Sequence, residues 1–246
     1  MLFVLPSLAI LAIYFLAAVV PAVFLMRYIY EKDTVEKEPP MLLLALVFSG
    51  VCAALASIVL ESLGVSVLNS LVDANSPAYT VILAFLVVAV VEEGTKFILL
   101  KLRTWRDPNF NYRFDGVIYA VFVSLGFAAF ENIKYVFGYG LSVAFPRALL
   151  AIPGHMGFAV FMGIFYGRAK LCESRGDKAG KIANLAAGYI IAVLLHGFYD
   201  SCAMLGTTLA TGMFIAFVVL MYVVVLRLIK REAQTDTPID TGLRYF

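Results

Sequence analysis

Residues 78–100, AYTVILAFLVVAVVEEGTKFILL, are long and apolar enough to cross a bilayer, yet they carry Glu92, Glu93 and Lys96. About 20 apolar residues in a helix span the hydrocarbon core. A charged side chain at that depth costs roughly 2.5–3.5 kcal/mol on insertion scales, so three of them in one span point to a functional site. Glu92 and Lys96, four residues apart, share a helix face in the favourable order for pairing. Glu93 is turned about 100° away, which predicts one neutralised and one spare carboxylate. A carboxylate in such surroundings is suited to taking a proton from water and returning it to a leaving amine.

The rest of the chain matches this segment. Of 246 residues, 62% are hydrophobic and 15% charged. A soluble globule has roughly 45–50% apolar and about 25% charged residues. The composition therefore predicts a single polytopic membrane domain over residues 1–230, all-α, with residues 231–246 as a flexible cytoplasmic tail. The net charge of +2 and the absence of a basic patch with interleaved aromatics argue against nucleic acid. Three cysteines without short spacing build neither a disulfide framework nor a zinc knuckle.

Seven spans are predicted, at residues 2–26, 41–63, 78–100, 114–137, 146–167, 182–205 and 207–226. Of the 19 Lys and Arg residues, all but Lys96, Lys134 and Arg147 fall on alternate connections or the C-terminal end. By the positive-inside rule this places the N-terminus outside and the C-terminus in the cytoplasm. Lys134 and Arg147 read as outer-side charges. Residues 64–77 place Val65, Leu68, Leu71 and Val72 on one face, the pattern of either a short interfacial helix or a plain loop.

Further polar groups sit at comparable depth in the next three spans. Glu131 and Asn132 follow Phe127 in the fourth span. His155 follows Pro153-Gly154 in the fifth, where the proline is expected to kink the helix. His196 and Asp200 are four apart in the sixth, so Asp200 is positioned to fix the imidazole and leave its other nitrogen free for metal or water. Glu92, Glu93, Glu131, His155 and His196 are thus the candidate catalytic residues, with Lys96, Asn132 and Asp200 supporting. Glu131, His155 and His196 form a sufficient ligand set for zinc, which would lower the pKa of bound water to about 7. The same groups could activate water without a metal. A proton- or cation-coupled transporter is the alternative reading of the same groups, and a non-catalytic membrane protein another.

At these residues the sequence resembles the PrsW family of intramembrane proteases. The resemblance rests on Glu92-Glu93-x-x-Lys96, Phe127-x-x-x-Glu131-Asn132, Gly154-His155 and His196-x-x-x-Asp200, with Glu36–Pro39 and Asp115-Gly116 also similar. It is distantly similar to the CAAX prenyl endopeptidases and bacteriocin-processing membrane proteases. Lys96 and Glu131 depart from that wider group's arginine and histidine and favour the PrsW branch. The resemblance implies cleavage of a membrane-anchored protein, such as an anti-sigma factor in a stress response, in a bacterial inner membrane.

Overall fold

The computed structural model describes residues 4–240, with side chains from residue 8 onwards. Its helices are α1 (Val4–Lys32), α2 (Pro40–Leu71), α3 (Pro77–Ile82), α4 (Val90–Thr104), α5 (Asp115–Tyr139), α6 (Ala144–Leu149), α7 (Ala151–Ser174), α8 (Lys178–Met204) and α9 (Thr208–Gln234). Among the described residues, six helical stretches are long and apolar enough to cross a membrane, with α6 and α7 contributing to one of them. The charged span quoted above is not among the six. It is built from α3, a π-helical segment Leu83–Ala89 and α4, whose joints keep helical dihedrals, so one rod runs from Pro77 to Thr104. This rod is the seventh passage, and the chain is an all-helical polytopic membrane protein.

The helix ends follow from local chemistry. Ser76, Asp177 and Thr207 accept from the backbone N–H of Tyr79, Gly180 and Ala210, satisfying donors that have no partner inside the helix. Pro40 opens α2 at a position where its missing N–H costs nothing. Gly140 closes α5 with φ +86°, a conformation that favours glycine.

Helix α5 is the axis of the bundle: 83% of its most apolar window is buried, against 11% for α1 and 22% for α9, which face outward. Glycines let its neighbours approach at backbone contact. A Cβ on Gly126 would lie 2.3 Å from Val47 O of α2, and one on Gly116 would lie 2.6 Å from Gly167 N of α7. Close approach through small residues is the usual way membrane helices gain packing, because lipid is as apolar as the side chains it replaces.

The connections rich in Lys and Arg meet at one end of the bundle. Asn111 donates to Glu36, Arg113 pairs with Glu232 at 3.1 Å, and Trp105 Nε1 donates to Glu173 at 3.1 Å.

The fifth span, Leu141–Ser174, is interrupted at Leu150, three residues before Pro153, the disruption expected of a proline whose missing N–H leaves Leu149 O to accept from the Tyr222 hydroxyl. Two expectations are corrected. Residues 64–71 continue α2, so there is neither a separate interfacial helix nor a loop there. The boundary expected at residue 231 falls inside α9, which runs to Gln234. Residues 235–239 are laid against the α4–α5 connection through Arg113 N→Thr237 O, Phe114 N→Asp236 Oδ1 and Ile239 N→Asn111 O.

Candidate active site

The polar groups of four passages converge at one depth. Lys96 Nζ contacts Glu92 Oε2 at 3.1 Å, Glu93 Oε1 at 2.8 Å and His155 Nδ1 at 3.2 Å. Glu93 is therefore not the spare carboxylate expected from its helical phase. Positions i+3 and i+4 both lie on the side that a long lysine stem reaches, so one ammonium serves both glutamates. The Nζ also lies 4.0 Å from the centroid of the Phe127 ring, on the axis helix.

Glu93 continues the chain of contacts to α8. Its Oε1 meets His196 Nδ1 at 2.9 Å, while His196 Nε2 faces Asp200 Oδ2 at 3.3 Å and Glu92 Oε2 at 4.0 Å. Asp200 holds the ring as expected, but the other nitrogen is taken by Glu93 rather than left free. A carboxylate on each side fixes the imidazole plane. Phe158 stacks on that ring with centroids 4.9 Å apart.

His155 is held from the opposite side. Its Nε2 lies 3.2 Å from Glu131 Oε2, and its backbone carbonyl accepts from Ser124 Oγ at 2.9 Å. Glu131 in turn accepts from Arg147 Nη2 at 2.8 Å, and Arg147 Nε donates to Asn132 Oδ1 at 2.9 Å. The Asn132 amide nitrogen donates to Ala18 O of α1, so Asn132, which is fully buried, ties helices together. Arg147 thus belongs to the site through its bond to Glu131. The sequence signal for it was an arginine beside Pro146, at the start of an apolar stretch with no acid nearby in the chain. Ser57, whose hydroxyl meets Thr95 at 2.8 Å behind Glu92, gave no such signal.

A cavity of about 590 Å³ reaches these groups, lined by Glu92, Glu131, His155 and His196 at its inner end and by Glu61, Lys134 and Arg147 further out. Glu93 does not line it and is 0% exposed, whereas Glu92 does. The wall between is mostly apolar and aromatic, including Ile58, Phe127, Phe130 and Phe214. Ligand sites commonly have this character, an apolar cleft with a few converging polar groups.

Among the described residues, the group whose ligand atoms all lie within 4.8 Å of one another is Glu92, Glu93 and His155. It shares only His155 with the set expected from sequence. Glu131 and His196 stand one contact away, oriented towards His155 and Glu93 respectively. Two features fit a cation. Glu93 Oε2 is buried with no hydrogen-bond partner, and an unsatisfied buried carboxylate oxygen is costly. The site also gathers four carboxylates (Glu92, Glu93, Glu131 and Asp200) around two basic side chains, Lys96 and Arg147.

Residues 38–229 match the family described as PrsW family intramembrane metalloprotease. Over 212 residues the chain is 31% identical to Protease PrsW of Clostridioides difficile (strain 630), covering 85% of this chain and 86% of that protein. It is 34% identical over 184 residues to Protease PrsW of Geobacillus kaustophilus (strain HTA426), 75% of this chain and 76% of that one. Against Protease PrsW of Bacillus subtilis (strain 168) the identity is 32% over 184 residues, 75% of this chain and 79% of that protein. No solved structure matches the chain.

Proposed function

Because the chain belongs to the PrsW family of intramembrane metalloproteases, we propose that Glu92 is the proton-transfer group of this membrane protease. The observation that carries this is the asymmetry of the acidic pair, since Glu92 lines the cavity while Glu93 is sealed behind it. Glu92 takes a proton from a water at the inner end of the cavity as that water attacks the peptide carbonyl. It then passes the proton to the leaving amine. Glu93 is a positioning residue, holding Lys96 on one side and the His196 ring on the other. His196, between Glu93 and Asp200, presents a fixed polar edge to the cavity. Glu131 does the same for His155.

Glu92, Glu93 and His155 would hold a metal, and the buried Glu93 carboxylate, with one oxygen unpartnered, fits that role. Bound there, zinc would supply Lewis-acid polarisation and lower the pKa of water to about 7. A carboxylate has two oxygens, so Glu92 can serve a cation through one and keep the other for the proton.

The proposed substrate is a membrane-anchored protein, an anti-sigma factor by resemblance, whose scissile segment lies in the apolar cavity with its flanks near Glu61, Lys134 and Arg147. The proposed location is a bacterial inner membrane with the N-terminus outside, as the Lys and Arg distribution implies. Comparing membrane-protein fragments from cells carrying wild-type protein, Glu92→Gln or Glu93→Gln tests the assignment. Glu92→Gln is expected to abolish cleavage in a folded protein, with Glu93→Gln leaving a measurable residue. Full activity in Glu92→Gln would overturn it.

A further inference from the structure

Lys96 Nζ sits 3.1 Å from Glu92 Oε2, 2.8 Å from Glu93 Oε1 and 3.2 Å from His155 Nδ1. These are the same three residues that come close enough to share a metal ion. One ammonium therefore fills the place that a metal would take. Zinc–nitrogen and zinc–oxygen bonds are about 2.0–2.2 Å, so the three ligands need close in by only about 1 Å once the ammonium has left. Both cations cannot share the site, because they would compete for the same lone pairs and repel each other where little water screens them.

We propose that the Lys96 ammonium is a built-in occupant of the metal site, and that a divalent cation loads only by displacing it. This rests on the metal reading given above. The side chain is suited to the exchange. In the buried state it is 2% exposed and keeps two adjacent carboxylates from facing each other unpaired. Its flexible four-carbon stem lets the ammonium move as a point charge. Phe127, whose ring the ammonium already faces at 4.0 Å, lines the cavity, whereas Lys96 does not. Movement across that ring face carries Nζ from the ligand group into the cavity. The protein then folds around its own cation, and metal loading is an exchange of one cation for another.

The test is zinc binding by the purified full-length protein in detergent, measured by competition with a chelator of known affinity. Wild type is compared with Lys96→Met, Lys96→Gln and Lys96→Arg. When a site is competent in only a fraction of molecules, apparent affinity falls by that fraction, so Lys96→Met and Lys96→Gln should bind one equivalent about tenfold more tightly or better. Lys96→Arg, which keeps a cation, should stay near wild type. Equal affinity in wild type and Lys96→Met, with one equivalent bound by each, overturns the displacement and leaves the metal reading standing. No zinc bound by either overturns both. An equivalent retained by Glu93→Gln marks binding elsewhere and also overturns the proposal. Should neither neutral variant fold, wild type answers alone. Zinc should increase labelling of Lys96 by an amine-reactive ester, read by mass spectrometry, and unchanged labelling with zinc bound overturns the idea.

Discussion

Arg147 Nη2 donates to Glu131 Oε2 at 2.8 Å from a short helix, α6, that lies across the outer mouth of the site. The same guanidinium bonds Asn132 and lies 3.9 Å from the Tyr135 ring centroid, so its position is set from three sides. Since Glu131 Oε2 also meets His155 Nε2, Arg147 acts on His155 through one intermediary. A planar fork that satisfies two acceptors while stacking on a ring is something lysine cannot imitate.

Arg147→Met is therefore expected to reduce kcat by about 10–100-fold, the usual effect of losing a group that orients a ligand, with a smaller change in KM. Arg147→Lys should restore only part of it. A merely structural role would lower the thermal midpoint and leave kcat unchanged in the folded fraction. Single-turnover cleavage together with the melting curve separates the two.

His196 has carboxylates on both nitrogens, and they are not equivalent. Glu93 is fully buried at 2.9 Å from Nδ1, whereas Asp200 is 3.3 Å from Nε2 and its side chain is 22% exposed. Asp200→Asn keeps the shape and a hydrogen-bonding group at the wet end, so a loss of about 10-fold is expected. His196→Phe removes both contacts and leaves Glu93 facing an apolar ring. It is expected to cost at least about 100-fold in activity and about 2 kcal/mol or more in stability. Cleavage rates and detergent melts of the two variants check the ranking.

Gly126 and Gly138 lie on the same helix and make opposite predictions. A Cβ at Gly126 would meet Val47 O at 2.3 Å, backbone against backbone, while at Gly138 nothing lies within 4 Å. Gly126→Ala must push α2 off the axis helix and should destabilise by about 1–3 kcal/mol or more. Gly138→Ala should be neutral or slightly stabilising, because alanine is the better helix former by about 1 kcal/mol. Thermal midpoints of the two variants measure this directly.

These cases show what the sequence could and could not convey. Hydropathy located the passages, because the cost of exposing backbone or charge to lipid is local and large. The spacing of His196 and Asp200 was readable because both lie on one helix. Arg147 was harder to place, since its partners are on α5 and the fold of α6 against α5 that brings them together is a long-range property, although Pro146 and Pro153 flank the interruption at Leu150. The sharing of Lys96 between Glu92 and Glu93 depended on rotamers, which helical phase alone does not determine. The choice of Glu92 over Glu93 as the cavity residue depended on packing of α8 against α4, a long-range property. Part of the tail was illegible for a related reason: residues 235–239 are polar, yet their hydrogen-bond partners lie on the α4–α5 connection, and residues 241–246 lie outside the described residues.

At the opposite end of the bundle, Glu38 makes stability depend on pH. It precedes α2 in the α1–α2 connection, is 4% exposed and leaves Oε2 without a hydrogen-bond partner. Burial pushes its carboxyl up to about 7, with the charges of Asp33 and Glu36 adding to the effect and Tyr119 and Asp115 opposing it as neighbours. Lys37, on the same connection, spends its ammonium on the carbonyls of Tyr30 and Asp33 rather than on Glu38. The folded state thus holds the proton more tightly than the unfolded chain, whose reference value is 4.5. The stabilising contribution is fully present below about 4.5 and is lost as pH rises through about 7. The melting temperature in detergent should fall across that window, and Glu38→Gln, which is neutral throughout, should flatten the slope. An unchanged slope in Glu38→Gln would assign the dependence to other groups.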